Sequence, residues 1–188
     1  MTRPGSVAAI CLSGLVLLLV AAAMLIPAGM ALHVTLTEAD TPVLILPLAP
    51  EERFILHYYH SVENAPIWEI HSMDASGTIF IEEERYEKFG AGMGKMPGVG
   101  RMVQKGKYEA IVDMHMPVGA FVLRVGSPGV DHTILWRDRR FNLSEKFPHQ
   151  RVQFSGRPVK LYQKIQHLHG LGQTGPWPEP KQSHKENQ

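Results

Sequence analysis

The stretch RFILHYYHSVENAPIWEIHSMD, residues 53–74, alternates apolar and polar side chains over two runs with a break between them. Consecutive side chains in a β-strand point to opposite faces of the sheet, so this alternation predicts two strands. Asn64 and Pro66 mark the break as a turn, because asparagine tolerates unusual backbone angles and proline cannot donate to a central ladder. The stretch therefore predicts a β-hairpin rich in histidine, tyrosine and carboxylate side chains.

The same period-two pattern continues on both sides of this hairpin, and turn residues such as Ser155–Pro158 separate the runs. Short, closely spaced strands without a convincing amphipathic helix between them are typical of antiparallel sandwiches and barrels. We therefore predict an all-β fold, a single antiparallel β-sandwich or barrel-like domain. The predicted strands cover about ten runs, at residues 33–38, 43–48, 53–63, 67–74, 78–85, 108–116, 120–125, 132–136, 151–154 and 158–166.

The N-terminus differs from this pattern. Residues 7–26 form an apolar run of twenty, enough to cross a hydrocarbon core of about 30 Å as a helix. We expect residues 1–31 to be either a cleaved signal peptide or a transmembrane anchor, followed by an extracytoplasmic β domain at residues 32–169. Residues 170–188 are rich in proline, glycine and polar side chains, and this composition predicts a disordered tail.

Composition excludes several classes of function. The 188 residues carry 19 basic and 18 acidic side chains without a basic run, so nucleic acid is not an expected partner. The single cysteine, Cys11, lies in the apolar run, which excludes thiol catalysis and cysteine-ligated zinc in the β domain. No cofactor and no metal ligand set is assigned from the sequence.

The register of the hairpin decides which polar groups meet. With an even number of residues in the loop, His60 faces His71 on the side of the sheet that holds Glu69, which is ligand chemistry for a divalent metal. With an odd number, Ser61 faces Glu69, and the resulting patch suits a small polar solute. A third interpretation is a purely structural hydrogen-bond network, and the sequence leaves all three open.

Two further segments are candidates for contact with a ligand. Arg85 follows an acidic run and offers a planar guanidinium that pairs with Glu63, Glu69 or an anionic ligand. Residues 89–101 contain five glycines in thirteen residues but lack the serine or threonine that a phosphate-binding loop needs. We expect Gly90 to Gly94 to form a loop that closes over the polar centre.

The combined pattern resembles a bacterial family catalogued as a domain of unknown function. The residues that carry the resemblance are the run from Tyr59 to Glu63, then Pro66 and Glu69, and then Phe89 to Gly92. It covers roughly residues 34–165. Genes of this family commonly lie beside tripartite TRAP transporters of the TAXI type. The resemblance therefore implies a role in solute uptake and no established reaction, while the N-terminal segment predicts an inner-membrane-anchored or periplasmic location.

From these observations we predict an accessory or solute-binding component of a TRAP-type system. Its expected partners are the transporter's membrane subunit or solute receptor, a small anionic solute, and the membrane through the N-terminal helix. The sequence favours binding over catalysis. One rival is a metal-assisted hydrolase using His60, His71 and Glu69, and another is a structural or interaction domain. The candidate ligand-binding residues are Tyr59, His60, Ser61, Glu63, Glu69, Arg85, Gly90 and Gly92.

Overall fold

The computed structural model describes residues 4–87 and 99–170. The helices in these ranges are α1 (Pro4–Met24), α2 (Leu143–Lys146) and α3 (Leu161–Gly170). The strands in chain order are β1 (Pro27–Leu36), β2 (Thr41–Leu46), β3 (Phe54–Tyr59), β4 (Pro66–Met73), β5 (Ile79–Tyr86), β6 (Arg101–Lys105), β7 (Tyr108–Val112), β8 (Met116–Pro117), β9 (Phe121–Arg124), β10 (Thr133–Trp136), β11 (Arg139–Asn142) and β12 (Arg151–Lys160).

These strands form two antiparallel sheets. The smaller has the order β2-β1-β12-β9, and the larger has the order β11-β10-β3-β4-β5-β7-β6, with β8 pairing with β5. Neither sheet of the described residues closes into a barrel. The prediction of an all-β antiparallel fold is therefore confirmed, in its sandwich form.

The main core lies between the two sheets. Leu32 of β1 and Phe154 of β12 are fully buried, and they belong to one apolar cluster with Phe54 and Leu56 of β3 and Ile134 of β10. Alternation explains this arrangement, because each strand sends every second side chain toward the other sheet. The even-numbered residues of β3 consequently face the core, and this face is called the inner face below.

The predicted N-terminal helix is present as α1. Within residues 4–87 and 99–170, no helix is both long enough and apolar enough to cross a membrane. The first strand also begins earlier than the sequence suggested, because β1 starts at Pro27, inside the segment assigned to a leader or anchor. The tail from residue 171 lies outside the described residues.

The C-terminal strand and helix correct two predictions. Residues 155–158 are not a turn but the middle of β12, and the predicted strand at 158–166 gives way to α3 after Lys160. Pro158 is tolerated because β12 pairs with β9 only from Arg151 to Phe154, so no neighbour on that side requires its missing N–H group. Gly156 is accommodated for another reason, a close contact with Gly77 of the β4–β5 turn.

Candidate functional site

The β3–β4 loop holds an even number of residues, as in the first of the two predicted registers, but it is longer than that register assumed. Glu69 lies opposite Leu56, and His71 lies opposite Phe54. Both polar side chains therefore belong to the inner face. Strand β3 ends at Tyr59, four residues earlier than predicted, and six residues connect it to Pro66 at the start of β4. Because the loop takes up those residues, His60 never reaches the position opposite His71.

The connecting loop is closed by its own hydrogen bonds. The His60 N–H group donates to the Ala65 carbonyl at 2.9 Å, and the Asn64 N–H group donates to the His60 carbonyl at 2.9 Å. Asn64 has a φ of +46°, a left-handed conformation that asparagine tolerates better than most residues. His60 Nδ1 accepts from the Glu63 N–H group at 3.3 Å, and Ser61 is exposed. His60, Ser61 and Glu63 therefore form part of the turn and do not meet Glu69.

Glu69 is held from both of its oxygens. The Tyr58 hydroxyl donates to Oε1 at 2.8 Å, and Nε2 of His71 lies 3.2 Å from Oε2. The Glu69 side chain is 21% exposed, whereas the His71 side chain is 2% exposed. The carboxylate is therefore fixed in orientation while one side of it remains accessible to solvent.

A second carboxylate lies beside the first. Glu84 of β5 is the direct cross-strand partner of Glu69, and its Oε2 accepts a hydrogen bond from the Tyr86 hydroxyl. Adjacent like charges in a sheet repel each other. No lysine or arginine among the described residues forms an ion pair with either carboxylate. Among the described residues, the ion-pair partner of these carboxylates is therefore a histidine, His71 beside Glu69, and not a lysine or arginine.

Aromatic rings pack against His71 and Tyr58, the two groups that hold Glu69. His71 is stacked between Phe54 at 5.1 Å and Phe121 at 5.5 Å, measured between ring centroids. His132, which precedes β10, lies 5.1 Å from the Tyr58 ring, and its Nδ1 accepts from the Gly126 N–H group at 2.9 Å. The term inner-face cluster is used below for the set Tyr58, Glu69, His71, Glu84, Tyr86 and His132.

The pKa values of the cluster follow from this geometry. Burial raises the pKa of Glu84 above its ordinary value of 4.5, and the charge of Glu69 raises it further. Burial also acts to raise the pKa of Glu69, but the hydrogen bonds and charge of His71 and the hydrogen bond of Tyr58 outweigh it, so this pKa lies below 4.5. Burial lowers the pKa of His132. The geometry thus favours a Glu69 carboxylate beside a Glu84 that takes up a proton more readily.

The remaining predicted site residues lie elsewhere. Arg85 points to the opposite face from Glu84, and its Nε donates to Glu83 Oε1 at 2.5 Å. Tyr59 is buried on that same outer side, where it meets the ring of His57 edge-on at 5.3 Å. Gly90 and Gly92 lie outside the described residues. Of the predicted residues, only Glu69 lies in the inner-face cluster.

Residues 54–143 match the DUF1850 family, a domain of unknown function. This similarity agrees with the resemblance noted in the sequence and assigns no activity. The DUF1850 match begins at β3 and ends at the first residue of α2, so it contains the whole inner-face cluster. No curated protein and no solved structure matches the chain.

Sequence reasoning missed four of the six members of the cluster, namely Tyr58, Glu84, Tyr86 and His132, and it named His71 only as a metal ligand of the alternative hydrolase. Tyr58 alternates with apolar residues, which is the pattern of a core side chain, and Glu84 lies in an acidic run of the kind that usually faces solvent. Pairing β4 with β5 in sequence would have placed Glu84 beside Glu69, although the irregular register after Ile70 obscures that pairing. His132 carries no local signal, because it reaches Tyr58 only through the β3–β10 pairing.

Proposed function

We propose that this protein is a periplasmic accessory or solute-binding component of a TRAP-type transport system. The similarity of residues 54–143 to DUF1850 supports a domain family without an assigned reaction. The motif resemblance supports the transport context, and the apolar run at residues 7–26 supports export of the domain. On this proposal the inner-face cluster is the place where the domain contacts its ligand.

The observation that carries the proposal is the pair Glu69 and Glu84. Two opposed carboxylates, partly exposed and without a lysine or arginine partner in the described residues, favour a ligand that brings positive charge or hydrogen-bond donors. Tyr58 and Tyr86 orient the carboxylate oxygens in advance, which lowers the entropy lost when a ligand binds. We therefore propose an ammonium or guanidinium group as the recognised feature. The anionic solute expected from Arg85 is less favoured, because Glu83 occupies that guanidinium on the other face.

The hydrolase alternative finds less support in this geometry. His60 lies in the turn, where its Nδ1 accepts from the Glu63 N–H group, while Nε2 of His71 is engaged by Glu69. A catalytic metal needs at least three protein ligands converging on one point. Within the described residues, His60, His71 and Glu69 do not form such a group.

The test is transport by cells that lack the gene and carry either the native protein or a variant. Glu69→Gln and Glu84→Gln remove charge at nearly constant volume. Because each change removes one partner of a buried charge pair with the proposed ligand, we expect each variant to reduce uptake through the neighbouring transporter at least about tenfold. Glu145→Gln, an exposed carboxylate in α2, is the matched control and should leave uptake unchanged.

Protein stability must be measured beside transport. If Glu69→Gln abolishes uptake only because the domain unfolds, the cluster is structural, as the third interpretation of the hairpin held. Unchanged uptake after deletion of the gene would contradict the transport proposal itself. Reduced uptake with a folded Glu69→Gln variant would support both the transport role and the site.

A further inference from the structure

A second group of polar side chains lies away from the inner-face cluster, at the end of β5 that pairs with β8. Glu51 precedes β3, Glu82 lies in β5, and His115 lies in the connection between β7 and β8. One carboxylate oxygen from each glutamate and one ring nitrogen of the histidine lie within 4.8 Å of one another. Three chain segments distant in sequence therefore bring three ligand-type atoms together.

Glu82 owes its position to an irregularity in the sheet. Ile70 pairs with Glu83 and His71 pairs with Ile81, so Glu82 is the extra residue of a β-bulge. A bulge re-aims a side chain and is common next to functional sites. Its carboxylate is then fixed by the Ser72 hydroxyl, which donates to Oε1 at 2.6 Å.

The histidine is positioned by independent contacts. Its ring stacks on Phe80 with a centroid separation of 4.4 Å and an interplanar angle of 6°, and its Nδ1 lies 2.9 Å from Oε1 of Glu82. The Met114 N–H group donates to the Glu82 carbonyl at 3.2 Å, so the connection is tied to the bulge through its backbone as well. The His115 side chain is 60% exposed, so an ion in solution has access to it.

The protonation state of Glu82 suits a cation. Burial acts to raise the pKa of this carboxyl, but the hydrogen bonds from Ser72 and His115 and the positive charges of His115 and Arg53 outweigh it and hold the pKa below its ordinary value. The same contacts hold the Glu82 carboxylate in a fixed position. Together with Glu51 and His115 it offers two carboxyl groups and one imidazole to a divalent ion.

We propose that Glu51, Glu82 and His115 bind one divalent transition-metal ion of the zinc, cobalt and nickel group. One imidazole and two carboxylates are ligands that these ions accept, and the remaining coordination positions would hold water. Ligand atoms on one zinc ion are about 3.3 Å apart, given bonds of about 2.0 Å in a tetrahedron. The three atoms lie within 4.8 Å of one another, and the exposed Glu51 side chain is the ligand with the most room to adjust when an ion binds. The site does not depend on the proposed transport function or on the inner-face cluster.

The experiment titrates the full-length protein, freed of metal with a chelator, with Zn²⁺ by calorimetry and with Co²⁺ by visible absorption. We expect one equivalent of Zn²⁺ per chain and a rise in the melting temperature when the metal is bound. Loss of an outer partner of a metal ligand typically weakens affinity 10–100-fold. Glu82→Gln and His115→Gln, which each remove a direct ligand, should therefore weaken binding at least about tenfold.

Other histidines provide the control. His167, His169 and His184 are the histidines nearest the C-terminus, and histidines outside a formed site often bind Zn²⁺ weakly. Replacing all three with glutamine should leave the one-equivalent binding intact. His115→Gln changes an exposed side chain and should leave the metal-free melting temperature close to that of the native protein. The proposal is overturned if the native chain binds no Zn²⁺, or if binding survives in both ligand variants and is lost in the C-terminal variant.

Discussion

The pKa values of Glu69 and Glu84 are displaced in opposite directions, although the two residues are cross-strand neighbours. Each carboxyl accepts a hydrogen bond from a tyrosine, so the tyrosines do not explain the difference. The difference comes from His71, which forms a hydrogen bond with Glu69. Any positive charge on the His71 ring therefore lies nearest to the Glu69 carboxyl. Glu84 experiences mainly burial and the negative charge of Glu69.

This difference predicts opposite effects of pH in two variants. The lowered pKa of Glu69 means that its contribution to stability is present above its unfolded value of 4.5 and is lost as the pH falls. The raised pKa of Glu84 means that its contribution is present below 4.5 and is lost as the pH rises through the folded value. Urea unfolding from about pH 4 to about pH 8 measures both.

The free energy of unfolding of Glu69→Gln should fall furthest below that of the native protein at neutral pH. The gap between the two proteins should become smaller in acid. Glu84→Gln should match the native protein in acid and become relatively more stable as the pH rises. Parallel pH profiles for the two variants would contradict this explanation. They would mean that His71 does not make the pKa of Glu69 differ from that of Glu84.

At the scale of the elements, the β4–β5 turn of the larger sheet comes into close contact with β12 of the smaller one. A Cβ atom built on Gly156 would lie 2.2 Å from the carbonyl oxygen of Gly77 and 2.5 Å from its Cα. Those are backbone atoms, which cannot rotate away as a side chain can. Gly77 itself has a φ of +89°, a conformation that suits glycine.

Gly156→Ala should therefore destabilise the protein by about 2–3 kcal/mol, the cost of overpacking a close contact. Gly129→Ala is the matched control, because the nearest atom to a Cβ there is the Ser127 hydroxyl oxygen at 3.8 Å. The free energy of unfolding in urea measures both variants. A cost for Gly156→Ala no larger than that for Gly129→Ala would show that the turn moves away from β12 without penalty.

The strands themselves were largely predictable, whereas their partners were not. Alternation located β3, β4 and β5, and it placed Glu69 and His71 on one face, because the side-chain period depends only on the backbone. The length of the β3–β4 loop depends on the hydrogen bonds of His60 and the left-handed Asn64, which no pattern of hydrophobicity encodes. His60 and Ser61 were for that reason predicted at the site and lie in the turn.

Long-range contacts account for the rest of the difference. β12 was predicted as two strands because Gly156 and Pro158 read as turn residues, and only its pairing with β1 and the contact with Gly77 explain why the strand continues. His132 and Glu84 joined the site through the pairings of β10 with β3 and of β5 with β4. Such pairings are set by packing across the whole domain and leave no mark within a short window of sequence.

At the scale of the molecule, the segment similar to DUF1850 is smaller than the folded unit. Residues 54–143 omit β1, β2 and β12, which are three of the four strands of the smaller sheet. Fully buried core side chains come from those strands, among them Leu32, Val34, Val152 and Phe154. The matched segment alone would expose the inner face of the larger sheet to water.

A fragment of residues 54–143 should therefore fail to fold cooperatively, whereas a fragment of residues 27–165 should unfold in one transition. Sheets whose apolar face is uncovered lose most of their hydrophobic stabilisation. Circular dichroism during urea titration distinguishes a sigmoidal transition from a gradual one. A cooperative transition in the shorter fragment would show that the larger sheet is stable without its cover.

The pairing of β1 with β12 also bears on how the chain acquires its structure during synthesis. Leu32 has Gly156 as its partner across the sheet, and the Leu161 N–H group donates to the Ile26 carbonyl at 2.9 Å, so the first strand is completed by almost the last described part of the chain. Contacts between distant residues form slowly, because a long loop must close before they contribute. β1 and β2 precede β12 in the chain and therefore keep one edge of their sheet unpaired until β12 is available, and until then that edge is open to association with other chains.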